Sequence, residues 1–165
     1  MQKKTRTPCV GICSTTYGDE VCRGCKRFYF EVINWNKYDE DEKDAIWMRL
    51  ESLKTQIIYS KIKKINSKKL STKIAELDLK IKTDLNEFCQ IFDLIKLVSE
   101  SFEDLSDFGI TFHDESMNLE ILKRDLEEEL LALSDAHYSK YFKDCLLYTS
   151  PSPRDKCRSG MPSSA

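Results

Sequence analysis

From residue 25 onward, apolar positions recur every three or four residues, the spacing of amphipathic helices. Cys25–Trp35 reads as a short first helix, with Phe28, Val32 and Trp35 on one face. Asn34–Lys37 is a polar break. Asp39 then offers an N-cap with Glu42 three positions later, and Ile46, Leu50, Leu53 and Ile57 carry a second helix to about Ile65. Asn66–Lys69 reads as a turn before a third helix marked by Leu70, Ile74, Leu77 and Ile81. Phe88, Ile91, Phe92, Ile95 and Val98 mark a fourth. The pattern breaks over Asp107–Ser116 at Gly109, where Ile110-Thr111-Phe112 is a short extended piece. A last helix carries Leu119, Leu122, Leu126, Leu130 and Leu133 and continues to Phe142. The expectation is an all-α protein of about five helices whose apolar stripes pack as core.

Composition narrows the function classes. A chain of 165 residues with 41% hydrophobic content supports one domain with a modest core. Charged residues make up a third of the chain, with 26 basic against 28 acidic. Bulk charge therefore points to neither nucleic acid nor membrane. The amino terminus lacks the apolar stretch of a secretory signal, and no run approaches the ~18 apolar residues of a membrane span. The expected compartment is the cytoplasm, where clustered thiols stay reduced and bind metal more readily than they form disulfides.

The chemistry lies before the first helix. Cys9, Cys13, Cys22 and Cys25 have the spacing C-x3-C-x8-C-x2-C. Each short loop can wrap two thiolates around one ion, and the x8 connection lets the loops face each other. Tetrahedral Zn–S bonds of ~2.3 Å suit such a closed set. Gly11 and Gly24 lie within the two loops, where glycine permits turns that aim amides at sulfur. Lys26 and Arg27 follow directly and offset the charge of four thiolates and a divalent ion. A [2Fe–2S] centre bears the same total charge but matches neither common ferredoxin spacing. Structural zinc is the first reading, an iron–sulfur cluster the alternative. Cys22-Arg23-Gly24-Cys25 is formally a redox C-x-x-C, but the chain lacks the βαβ context of that chemistry.

The end of the chain changes character. Cys145–Ala165 contains three of the four prolines and two of the seven cysteines. Cys145–Asp155 resembles a translated sequencing-library adapter, and Met161–Ala165 resembles its far end. Residues 145–165 are therefore expected to be a non-native, disordered tail, with the native carboxy terminus missing. Without the tail's three basic and one acidic side chains, 23 basic and 27 acidic remain, a formal charge of −4.

Pro8-Cys9, Gly11, Cys13, Cys22-Arg23-Gly24-Cys25, Arg27, Glu31, Trp35 and Trp47 together resemble a short bacterial domain family of unknown function, usually labelled a predicted iron–sulfur protein. Asp104–Gly109 and Ser134–Tyr138 resemble the helical extension of a longer subgroup that shares the eight-residue gap. The resemblance spans roughly Pro8 to Phe142. It implies Cys9, Cys13, Cys22 and Cys25 as ligands and no established reaction.

The expected organisation is a four-cysteine metal knuckle with two helices over 1–53, a helical extension over 54–144, and the tail. The expected function is a non-enzymatic metal-binding protein whose centre orders a surface for a protein partner. Zinc-dependent nucleic-acid binding is a further alternative, through Lys54, Lys61, Lys63, Lys64, Lys68, Lys69 and Lys73, but the stretch has no arginine cluster and no interleaved aromatics. Nothing in the sequence points to a small-molecule substrate. Cys89 sits in an apolar helix and reads as a buried, inert thiol. His113 and His137 have no partnered nucleophile.

Overall fold

A computed structural model describes residues 6–98 and 105–143. The adapter-like tail lies outside the described residues. Among the described residues, five α-helices and one two-stranded sheet form the fold: α1 (Tyr29–Asn34), α2 (Glu40–Lys61), β1 (Ile62–Ile65), α3 (Ser67–Glu76), α4 (Glu87–Leu97), β2 (Ile110–Phe112) and α5 (Leu119–Tyr138). The protein is predominantly helical, as the periodicity requires. No described helix is long and apolar enough to cross a membrane. Contacts separate two compact units, one drawn from Met1–Leu50 with Leu131–Ala165, the other from Glu51–Leu130.

In the first unit, α1 starts four residues later than the periodicity predicts. Residues 20–22 instead run antiparallel to 27–29. Val21 bridges Phe28, the Cys22 amide donates to the Arg27 carbonyl (2.8 Å), and the Tyr29 amide donates to the Glu20 carbonyl (2.9 Å). The Cys22–Cys25 turn closes this hairpin, so its backbone is unavailable to a helix. α1 begins where the Glu31 carboxylate accepts the Phe28 amide at 2.9 Å, an acidic group at the positive end of the helix. α2 starts as the sequence predicts. Asp39 and Glu42 form a reciprocal capping box, with bonds of 2.8 and 3.0 Å.

Aromatic packing completes this unit. Phe28 meets Tyr138 at 5.4 Å and Phe142 at 5.3 Å between ring centroids, and Phe30 meets Phe142 at 4.8 Å. Such pairs add about 0.5–1.5 kcal/mol each beyond the area they bury. Phe142 sits not in α5 but in the wider π-helical turn Ser139–Lys143 that follows it. A second cluster joins Trp35, Ile46 and Leu50 with the half-buried Tyr38 and Trp47.

In the second unit, α2 stops at Lys61 rather than near Ile65, because Ile62–Ile65 pairs with β2 as a strand. Ile62 is buried on that strand, and Lys63 and Lys64 are exposed. Asn66 then caps α3 by accepting the Lys69 amide. Gly109 makes this corner possible. Its φ is +76°, and a Cβ there would lie 2.9 Å from Asn66 Cβ. α3 ends before Leu77, which is exposed, and Ile81 reaches the core from the following loop. Asn86 caps α4 through the Cys89 amide at 2.9 Å. Ile91, Phe92, Leu94 and Ile95 of α4 are fully buried. On α5 the buried row is Leu122, Leu126, Leu130, Ser134 and Tyr138, leaving Leu133 half-exposed.

Candidate metal centre

The four cysteines lie on two loops. Cys9 is exposed, Cys13 half-buried, and Cys22 and Cys25 buried. Gly11 turns the first loop through a left-handed backbone (φ +94°). In the second loop the left-handed residue is Lys26 (φ +63°), not Gly24. Gly24 serves a different purpose. A Cβ there would lie 2.7 Å from Val10 Cγ2 and 2.8 Å from the Ile12 carbonyl oxygen, so only glycine lets the first loop lie this close.

Ser14 joins the loops. Its Oγ accepts the Arg23 amide at 2.8 Å. Cys22 Sγ lies 3.7 Å from the Ile12 carbonyl. Burial raises the Cys22 pKa, but amides of Cys25, Ser14 and Gly24, with the Cys25 side chain, outweigh it and bring the thiol down to about 7. Cys25 moves the other way. Burial pushes its thiol up despite the Arg27 Nε bond to its Sγ at 3.2 Å. Both sulfurs of the C-x2-C turn are buried. The first loop's sulfurs have local partners: Cys13 Sγ meets Thr15 Oγ1 at 2.9 Å, and Cys9 Sγ accepts the Gly11 amide at 3.4 Å. With the side chains so placed, no group of three or more His, Cys, Asp or Glu among the described residues is set to hold a metal ion.

The donor set and its surroundings nevertheless fit a soft metal: four thiols on facing loops, amides aimed at sulfur, and buried cations alongside. Lys26 Nζ holds the Arg23 and Gly24 carbonyls. The Arg27 guanidinium lies 4.7 Å from the centre of the Trp35 ring. Glu31 pairs with Arg49, whose guanidinium covers the Phe28 ring at 3.9 Å and reaches the Lys26 carbonyl. Trp47 Nε1 donates to the Arg6 carbonyl at 2.8 Å. These contacts give structural roles to Arg27, Glu31, Trp35 and Trp47.

Sequence reasoning missed the Ser14 bridge and Arg49. Serine one residue after a cysteine is a weak signal, and Arg49 lies 18 residues beyond Glu31, outside any local rule. The basic stretch is partly neutralised: Lys54 pairs with Asp93, Lys61 with Glu129, and Lys73 with Glu76. His113 is exposed, and His137 is half-buried, with burial and the Arg49 and Lys140 charges lowering its pKa. Cys89 is fully buried, with its Sγ 3.3 Å from the Glu51 carbonyl.

Comparison with curated proteins and with solved structures returns no match. Residues 7–54, which hold all four cysteines and Arg27, Glu31, Trp35, Trp47 and Arg49, are similar to a family described as "Protein of unknown function (DUF1289)".

Proposed function

We propose that this is a non-enzymatic metal-binding protein in which Cys9, Cys13, Cys22 and Cys25 hold one metal centre, with structural zinc as the first candidate. Ser14 carries the reading, because this residue beside Cys13 accepts the amide of Arg23, inside the C-x2-C turn, at 2.8 Å and so ties the two cysteine loops together. Ligation requires Cys13 to exchange Thr15 for the ion and Cys9 to turn inward. The metal would supply a tetrahedral staple between loops that are otherwise joined by the Ser14–Arg23 hydrogen bond and the close packing at Gly24. The protein's own residues do the rest: Lys26 and Arg27 offset thiolate charge, and the hairpin of residues 20–29 fixes the C-x2-C turn.

A staple of this kind orders a surface. Val10, Ile12 and Tyr17 are 57%, 75% and 90% exposed on or beside the first loop, too apolar for a face meant only for water. A protein partner is the occupant that suits it.

Anaerobic purification with metal analysis and a visible spectrum tests the reading. The expected product is colourless with one zinc per chain. A brown product containing iron assigns the same cysteines to an iron–sulfur centre, and a metal-free folded product refutes the proposal.

A further inference from the structure

We infer that an open cleft beside the cysteine loops, about 510 Å³ in volume, is a binding site for an organic carboxylate, built on Arg27. Cys9 also lines the cleft and Arg27 bonds Cys25, so the site borders the proposed metal centre and shares residues with it. Arg27 is 97% removed from solvent. Its Nε is committed to Cys25 Sγ and its face to Trp35, and no acidic side chain among the described residues pairs with it. A guanidinium pinned on two sides presents its remaining N–H edge at a fixed angle, the arrangement that receives a planar carboxylate through paired bonds. Arg6, Thr7 and Asn36 form the polar rim, and Val32 with Trp35 the apolar wall. Trp47 holds the backbone of Arg6 in place.

The other cleft of this unit shows why the charge pattern matters. It has a similar volume, about 540 Å³, and brings Asp19, Glu20 and Asp135 together with Arg23 and Lys143. There Arg23 pairs with Asp19 at 3.0 Å and Lys143 with Glu20 at 3.8 Å, so opposite charges already answer each other. The Arg27 cleft has two arginines and no acid in its described lining. Its apolar wall suits a carboxylate attached to a ring or an aliphatic group, either a free acid or the carboxy terminus of a peptide. Inorganic phosphate leaves that wall unused.

The test is titration of the full chain as purified with benzoate, followed by the Trp35 indole N–H resonance. Benzoate should shift it saturably and benzamide should not. Asn36→Asp, which adds negative charge to the rim, should weaken binding about tenfold, and Arg6→Ala about threefold. Circular dichroism and metal content should be unchanged in both variants, which separates failure here from failure of the metal centre. A hydrophobic tetrapeptide with a free carboxy terminus, compared with its amide, distinguishes the two sources. Tighter binding of the acid peptide than of benzoate assigns a protein terminus, and the reverse assigns a free acid. No saturable shift, equal affinity in both variants, or phosphate binding as tightly as benzoate would overturn the assignment.

Discussion

The cysteine-bearing stretch and the unit Glu51–Leu130 have opposite interiors. Among the described residues of 6–31, the buried set is Val21, Cys22, Cys25, Lys26, Arg27, Phe28 and Glu31, of which three carry formal charge. In Glu51–Leu130 every buried residue described is apolar, from Leu53 and Ile57 to Leu126 and Leu130. The second interior is held by excluded water and close packing, which respond to volume. The first is held by matched charges, amide–sulfur bonds and a cation over a ring, which respond to whatever supplies or removes a partner. Only the first is suited to being switched by a ligand.

Four measurements put this difference to the test. The largest effect should follow from Cys22→Ala or chelation, since metal binding contributes ~10–16 kcal/mol in small modules. Amide exchange should lose protection over residues 8–35 while residues 51–98 keep theirs; equal loss in both would dissolve the distinction. Phe92→Ala should cost about 3–5 kcal/mol in urea denaturation, because its ring is fully buried, with metal content unaltered. Arg49→Met leaves the Glu31 carboxylate buried without its cation and should cost about 3 kcal/mol. Combined with Glu31→Gln the loss should fall well short of the sum, and simple additivity would show the pair to be uncoupled. Gly24→Ala should cost about 1–3 kcal/mol, read as a lower melting temperature and weaker metal retention, because the Ile12 carbonyl cannot easily retreat from the new methyl group.

Features governed by near neighbours were legible in the sequence. The Asp39–Glu42 box, the break at Gly109 and the helical stripes each depend on residues within a turn or two. Two elements were not. Ile62–Ile65 carries on the apolar spacing of α2, and what makes it a strand is Ile110–Phe112, which the chain supplies 45 residues after it ends. Cys25–Phe28 has a helical pattern, but the Cys22–Cys25 turn and the hairpin it closes take its backbone first. In the site, the spacing of the cysteines suggested two loops brought together, and Gly24 lies close against Val10 and Ile12 of the first loop. The spacing assigned the left-handed turn to Gly24, whereas Lys26 adopts it, a backbone strain that sequence pattern does not register. Charged residues are ordinarily read as surface, so the burial of Lys26, Arg27 and Glu31 had no local signal.

Phe28, three residues after Cys25, is roofed by Tyr138 and Phe142, which lie far outside the segment 7–54. Excising that segment would strip the roof and leave bare rings prone to self-association. The recombinant fragment that keeps this chain's cysteine loops monodisperse must therefore include the distant turn at 139–143.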